Sequence, residues 1–280
     1  MNEYIHSPMN YTGGKYKLLP QILPLFPKKV DTFVDLFCGG LNVGVNVEAN
    51  HYYFNDALAP VIEIYEMFKE RSFDEIRGEI NGRIEEFNLS KTNKDGYLQL
   101  REQYNSEPNP VDLFSLTCFA FNYMIRFNNK GGFNTAFGKD RSCFNPKLEN
   151  NLERTIERLH SIDCHFSSVD FKDFDFDQLP RNSLIYCDPP YLAGSAADYN
   201  KVWNETTEKE LLALLDELHE QGFYFALSNV LEHNGKRNEI LAEWAQKYNV
   251  HHLNANYSNS YYARKDKQCK SDEVLITNYE

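Results

Sequence analysis

Val30-Asp31-Thr32-Phe33-Val34-Asp35-Leu36-Phe37-Cys38-Gly39-Gly40 is a short, partly β-branched apolar run that stops at two glycines. A run of this length bounded by a glycine turn reads as a buried strand entering a tight turn. Working outward, a helix is expected over 43–49. A second strand over 51–54 ends at Asn55-Asp56, and a helix over 58–69 follows. Residues 73–127 read mainly helical, with apolar helical spacing over 113–125. Asn128-Asn129-Lys130-Gly131-Gly132, with the aromatic stretch to Gly138, reads as a hairpin with a glycine-rich turn. Helix returns over 148–160. Strands over 164–169, 184–187, 222–228, 250–255 and 273–277 then alternate with helices over 208–219 and 239–248. Such alternation predicts a doubly wound α/β sheet. The expected organisation is an α/β domain from residues 1–72 and 163–280, with 73–162 inserted as a mainly helical subdomain carrying the β-hairpin.

The chain has 280 residues, 42% hydrophobic and 25% charged, a composition of folded rather than disordered proteins. No apolar run approaches the ~20 residues that span a bilayer, and the first residues carry no secretory pattern. The cysteines Cys38, Cys118, Cys143, Cys164, Cys187 and Cys269 form no CxxC pair. A reduced cytoplasmic setting, without a disulfide framework or structural metal, is the expectation.

The formal charge of −12 repels polyanions at long range. Binding, however, depends on local patches within a screening length of about 10 Å. Arg126, Lys130, Lys139, Arg141 and Lys147 face the single acid Asp140 in their segment, and Arg264, Lys265, Lys267 and Lys270 surround only Asp266. Either cluster is a solvated loop or a polyanion contact.

Asp188-Pro189-Pro190-Tyr191 follows the apolar strand Leu184-Ile185-Tyr186-Cys187. A carboxylate at a strand's carboxyl end lies where open α/β sheets bind ligands. The two prolines fix the backbone, the carboxylate and a carbonyl accept N–H protons, and the tyrosine offers a flat face. A planar substrate carrying an amino group suits that set; a rigid strand-to-loop exit is the structural alternative.

These residues resemble the signature of the S-adenosylmethionine-dependent amino-methyltransferases, and the Asp form resembles the adenine-N6 branch. The resemblance extends along the chain to the Dam-type DNA adenine methyltransferases of the D12 class, alpha group. It is carried by Asn10-Tyr11-Thr12-Gly13-Gly14-Lys15, Asp35-Leu36-Phe37-Cys38-Gly39-Gly40, Phe54-Asn55-Asp56, Ala197-Asp198-Tyr199-Asn200, Leu227-Ser228-Asn229 and Glu273-Val274-Leu275-Ile276-Thr277-Asn278-Tyr279. The resemblance implies a Rossmann-like methyltransferase fold, S-adenosyl-L-methionine as cofactor and double-stranded DNA as substrate. It implies neither metal nor membrane, and leaves the role open between partner of a cognate restriction endonuclease, phage protection and regulation.

Residue by residue, it implies a catalytic role for Asp188, Pro189, Pro190 and Tyr191. Cofactor contacts fall on Tyr11, Lys15, Phe37, Gly39, Gly40, Asp56, Asp170, Phe171 and Asp188. Glycines let the backbone approach a ligand closely, and Asp56 lies about 20 residues beyond the first strand, where an acid reaches ribose hydroxyls. Asp56 also fits a helix cap, and Phe171 fits a core position. DNA contacts fall on Asn10, Phe121, Asn122, Met124, Arg126, Lys130, Ala136, Lys139 and Arg141. In that set Phe121 enters the base stack, Asn122 meets the unpaired base and Arg126 reads guanine; helix core is the alternative for Phe121 and Met124. Two departures stand out. Leu41-Asn42 occupies the place of a frequent third glycine, and Asn10 stands where enzymes reading GATC carry lysine, which points to a first base other than guanine. RNA or protein-glutamine methylation, or a non-catalytic DNA-binding regulator, are the rival functions.

Overall fold

The computed structural model describes residues 4–11, 13–193, 203–254 and 271–280. The Ala197–Asn200 motif and the Arg264–Lys270 cluster lie outside the described residues. In chain order the regular elements begin with α1 (Leu19–Ile22), β1 (Thr32–Asp35), β2 (His51–Asn55) and α2 (Ala59–Glu70). Next come α3 (Phe73–Glu86), α4 (Lys94–Ser106), α5 (Pro110–Phe119), α6 (Pro146–Ser161) and β3 (Asp163–Ser167). The last are β4 (Leu184–Cys187), α7 (Glu205–Glu220), β5 (Tyr224–His233), β6 (Lys236–Arg237), α8 (Glu239–Trp244), β7 (Asn249–Leu253) and β8 (Ser271–Thr277).

The chain forms two compact units. One comprises Met1–Tyr16, Cys38–Asn46 and Asp56–Ser168; the other comprises Lys17–Phe37, Val47–Asn55 and Val169–Glu280. In the second unit the strands run in the order β2-β1-β4-β5-β8-β7. Pairings are parallel from β2 through β5 and antiparallel at β5–β8 and β7–β8. This is the expected α/β sheet, mostly parallel, with an antiparallel carboxyl-terminal edge. The order reverses between β1 and β4, the topological switch point where ligands bind in open α/β sheets. There Asp35 pairs with Tyr186, and the Leu36 amide donates to the Tyr186 carbonyl at 2.9 Å. The carboxyl ends of β1 and β4 therefore lie side by side.

The central strands bury both faces, as strands covered on both sides do. On one face Val34, Ile185 and Phe225 join Leu215 of α7 and Leu241 and Trp244 of α8 in one apolar cluster. On the other, Phe26, Phe33, Tyr52 and Tyr186 pack ring against ring, with centroids 5.7–6.4 Å apart.

The first unit holds α2–α6 and β3. Short polar side chains cap its helix starts. Ser72 and Glu75 form a capping box, and Asn93, Asn109 and Asn145 accept from first-turn amides of α4, α5 and α6. Lys69 closes the far end of α6, donating to the Leu159 and Ile162 carbonyls at 2.8 and 2.7 Å.

Three expectations need revision. The helix over 43–49 is a single 3-10 turn, Gly44–Asn46. The Asn46 amide instead donates to the Ile5 and Asn42 carbonyls, both at 2.8 Å. The helical run over 113–125 stops at Phe119, because Ala120 turns extended and bridges Phe137. The hairpin begins there, upstream of residue 128, and is held by two isolated bridges, Ala120–Phe137 and Phe127–Phe133, around a turn closed by Asn128.

Candidate active site

In the second unit, β4 delivers Asp188 from its carboxyl end beside the end of β1. Pro189 is buried, while Asp188, Pro190 and Tyr191 are half-buried. The Tyr191 hydroxyl donates to Asp188 Oδ1 at 2.8 Å, which sets the aromatic ring beside the carboxylate. Burial, then the Asp188 charge, holds the Tyr191 phenol well above its ordinary value, so it remains a donor. Beneath the tetrapeptide, the Tyr186 hydroxyl and Ser228 Oγ lie 2.8 Å apart in the buried core.

An aromatic group follows β1. Phe37 lies 5.6 Å from Phe171 and 5.8 Å edge-on to Trp203, and Phe171 lies 5.9 Å from Trp203. Phe171 is thus built into the core while joined to half-buried Phe37. Asp170 is exposed and caps the short turn after it, accepting from the Lys172 amide at 3.0 Å.

In the first unit the residues around the glycines converge. A Cβ on Gly39 (φ +41°) would lie 2.9 Å from Tyr11 Cδ1, and one on Gly40 would meet Tyr11 Cβ and Asn42 Nδ2 at 3.1 Å. Glycine is required because the Tyr11 ring covers the turn. Leu41, at the departure from the family pattern, has φ +57°. That conformation costs roughly 1–2 kcal/mol for a non-glycine residue, a cost its fully buried side chain offsets. Asp56 ties the turn down: Oδ2 accepts from the Gly39 amide and Oδ1 from the Leu58 amide, both at 2.9 Å. Burial raises the Asp56 carboxyl and these two amides pull it back, leaving it above the ordinary aspartate value. The Tyr65 hydroxyl donates to the Gly39 carbonyl at 2.7 Å. Lys15 is buried and donates to the Gly13 carbonyl at 2.7 Å.

The segment expected to contact DNA belongs to the same unit. Phe121 is 44% exposed, a rare position for a large apolar ring. Asn122 is exposed and Met124 half-buried, so Phe121 is not in the helix core. Arg126, Lys130, Ala136, Lys139 and Arg141 are all exposed, and the Ala136 carbonyl accepts the Phe121 amide at 2.7 Å. Asn10 is exposed and donates to the Asn122 carbonyl at 2.6 Å. Among the described residues no cluster of His, Cys, Asp or Glu forms a metal site, and no helix is long and apolar enough to cross a membrane.

Two features escaped sequence reasoning. Buried Asn55 donates to the carbonyls of Leu36 and Val169 and accepts from the Val169 amide, locking the ends of β1 and β2 to the segment before Phe171. Its only signal was its place before Asp56. Buried Glu208 accepts from Trp203 Nε1 at 2.6 Å, Asn238 at 2.9 Å and Asn229 at 3.2 Å. Nothing in its helical context marked it as different from a solvated acid.

The sequence model of the D12 class N6 adenine-specific DNA methyltransferases matches residues 11–259. The chain is 50% identical over 283 residues to the type II methyltransferase M.FokI of Planomicrobium okeanokoites, covering 99% of this chain and 43% of that protein. It is 48% identical to the modification methylase StsI of Streptococcus sanguinis, again over 43% of that protein. The DNA adenine methylase of Escherichia coli K12 is 27% identical over 95% of this chain and 93% of its own length. The chain therefore spans less than half the length of M.FokI and StsI.

Proposed function

Because the chain belongs to the D12 class N6 adenine-specific DNA methyltransferase family, we propose that it transfers a methyl group from S-adenosyl-L-methionine to the N6 atom of adenine in double-stranded DNA. The observation that carries this reading is Asp188 at the switch point, with its carboxylate and the Tyr191 ring held together by one hydrogen bond.

The residues present suit the cofactor. The half-buried Asp56 carboxylate has acceptor capacity beyond its two amides, which suits ribose hydroxyls, and the Lys15 ammonium suits a carboxylate. In the second unit Phe37 offers an aromatic face 5.6 Å from Phe171, and Asp170, which caps its own turn, is the remaining cofactor candidate. When bound, S-adenosylmethionine supplies an electrophilic sulfonium methyl.

The chain's own part is positioning. Adenine N6 is unreachable inside a duplex, so the base must leave the stack. Asp188 and the Pro189 carbonyl accept the two N6–H protons and turn the nitrogen lone pair toward the methyl. Pro190 stiffens the turn, and Tyr191 stacks on the base whose amino edge meets Asp188. The bound donor would keep the C–S electron pair as the N6 lone pair takes the methyl, and the proton shed by N6 would pass to water. Orientation of this kind supplies much of the rate without a metal.

In the first unit, Phe121 wedges the base stack, Asn122 meets the orphaned partner base and Arg126 reads guanine. Met124 and Ala136 shape that segment. Lys130, Lys139 and Arg141 contact phosphates despite the net negative charge. The names of M.FokI and the modification methylase StsI support a role beside a cognate restriction endonuclease, and the setting inferred for it is the cytoplasm. Labelled methyl offered to duplex DNA, RNA and protein tests the reading. Adenine-N6 label in DNA that disappears in Asp188→Ala, with cofactor binding retained, supports it; label in RNA or protein, or none, sinks it. Modification-sensitive sequencing of the same DNA maps the target site.

A further inference from the structure

Phe121 stands exposed on a backbone that needs holding in place. The two residues after it, Asn122 and Tyr123, have φ +54° and +57°, the left-handed region that asparagine tolerates and a bulky tyrosine rarely occupies. Outliers of this kind persist where surrounding contacts determine them. The turn is pinned on one side by the Phe121 amide on the Ala136 carbonyl at 2.7 Å, and by the Tyr123 amide on the Ala120 carbonyl at 3.0 Å. From the other side, Asn10 Nδ2 reaches across 112 residues of sequence to the Asn122 carbonyl at 2.6 Å. Asn10 directly precedes Tyr11, whose ring covers the Gly39-Gly40 turn, so its backbone is anchored to a buried part of the same unit.

We propose that Asn10 is a positioning residue for base flipping: its side-chain amide locks the left-handed Asn122–Tyr123 turn that presents Phe121 to the base stack. The inference rests on the reading of Phe121 as a wedge, and it gives Asn10 a different task from reading the first base of the target. The Asn122 carbonyl takes one of the two Nδ2 hydrogens of Asn10 and fixes the side chain on the turn. The function of Asn10 is then mechanical, and its value depends on how hard the target adenine is to unstack.

A paired substrate and a mismatched one separate these roles, since a base already unpaired costs less to extrude. The probes are two duplexes carrying the site mapped by sequencing, one with the target adenine opposite thymine and one with it mispaired. Loss of one such hydrogen bond should lower kcat/KM on the paired duplex by about tenfold in Asn10→Ala. Asn10→Asp, which keeps the shape but offers no donor, should lose as much. Both variants should return to within about threefold of the wild-type protein on the mispaired duplex, as should Phe121→Ala, with site preference unchanged. An altered preference at one base pair in Asn10→Ala would overturn the proposal in favour of direct reading. Restoration of Phe121→Ala but not of Asn10→Ala would overturn it while leaving the wedge intact. If neither is restored, the wedge reading falls and the proposal with it.

Discussion

Tyr191 donates its phenolic hydrogen to Asp188 Oδ1 at 2.8 Å, three residues along a backbone stiffened by two prolines. The bond makes one unit of a flat ring and a carboxylate, so a base stacked on the first has its amino edge at the second.

Two substitutions separate those tasks. Tyr191→Phe keeps the ring and frees an acceptor position on Asp188, so its kcat should stay within about fivefold of wild type, the scale of one net hydrogen bond. Tyr191→Ala removes the stacking surface, worth about 1–3 kcal/mol per base. It should lose about 10–100-fold in kcat/KM for DNA. Steady-state kinetics on the mapped duplex decide; equal losses would show that the hydroxyl, not the ring, is what matters.

Asp56 should govern the cofactor rather than the chemistry. Asp56→Ala should raise KM for S-adenosylmethionine by about 10–100-fold, the scale of hydrogen bonds to a charged acceptor, and leave kcat nearly unchanged. Because burial holds its carboxyl above the ordinary 3.8, the acceptor form is lost earlier as pH falls. Cofactor affinity should therefore weaken on acidification at a pH above that of an ordinary aspartate, and Asp56→Asn should flatten this dependence. Calorimetric titration across acidic pH measures both. If Asp56 only supports the start of α2, melting will shift and affinity will not.

DNA binding should fall steeply with salt, although the chain carries a net charge of −12. Each of Lys130, Lys139 and Arg141 that contacts a phosphate should reduce the log–log salt slope by about 0.9 when replaced by alanine. Arg126→Ala should instead relax discrimination at one base pair by about 1–3 kcal/mol. Methylation rates on single-base-pair variants of the site distinguish these outcomes, and uniform slowing would make Arg126 a backbone contact.

Stability at low pH should track Asp216, where α7 meets α8. Burial raises its carboxyl, but hydrogen bonds from Lys247, Tyr248 and Trp244 outweigh it and bring it below 3.8. A depressed carboxyl stabilises the fold above its unfolded value and loses that contribution as pH falls through the folded one. Asp216→Asn should thus cost about 1–3 kcal/mol at neutral pH, and the gap to wild type should close progressively below pH 4. Thermal melts of both proteins across that range test it; a constant gap would assign the loss to packing alone.

The sheet and the strand-end motifs were legible because each is written locally. The apolar run before Cys38-Gly39-Gly40 and the one before Asp188-Pro189 need only side-chain patterning and backbone restriction to declare themselves, whereas the capped starts at Asn109-Pro110 and Asn145-Pro146 were not separated from the helical stretches over 73–127 and 148–160. Apolar periodicity misled where a distant partner outbid it. The run over 113–125 carries helical spacing, yet Ala120 leaves the helix to pair with Phe137, and the run over 43–49 gives way to the Asn46 amide bonded to Ile5 and Asn42. Tertiary structure alone decided that Leu41 takes a glycine's conformation, that Asn10 meets Asn122, and that Glu208 is a buried acceptor for Trp203, Asn229 and Asn238. Those facts depend on groups that are remote in sequence and close only after packing, where the energy of a buried polar group depends on which partners the fold delivers to it.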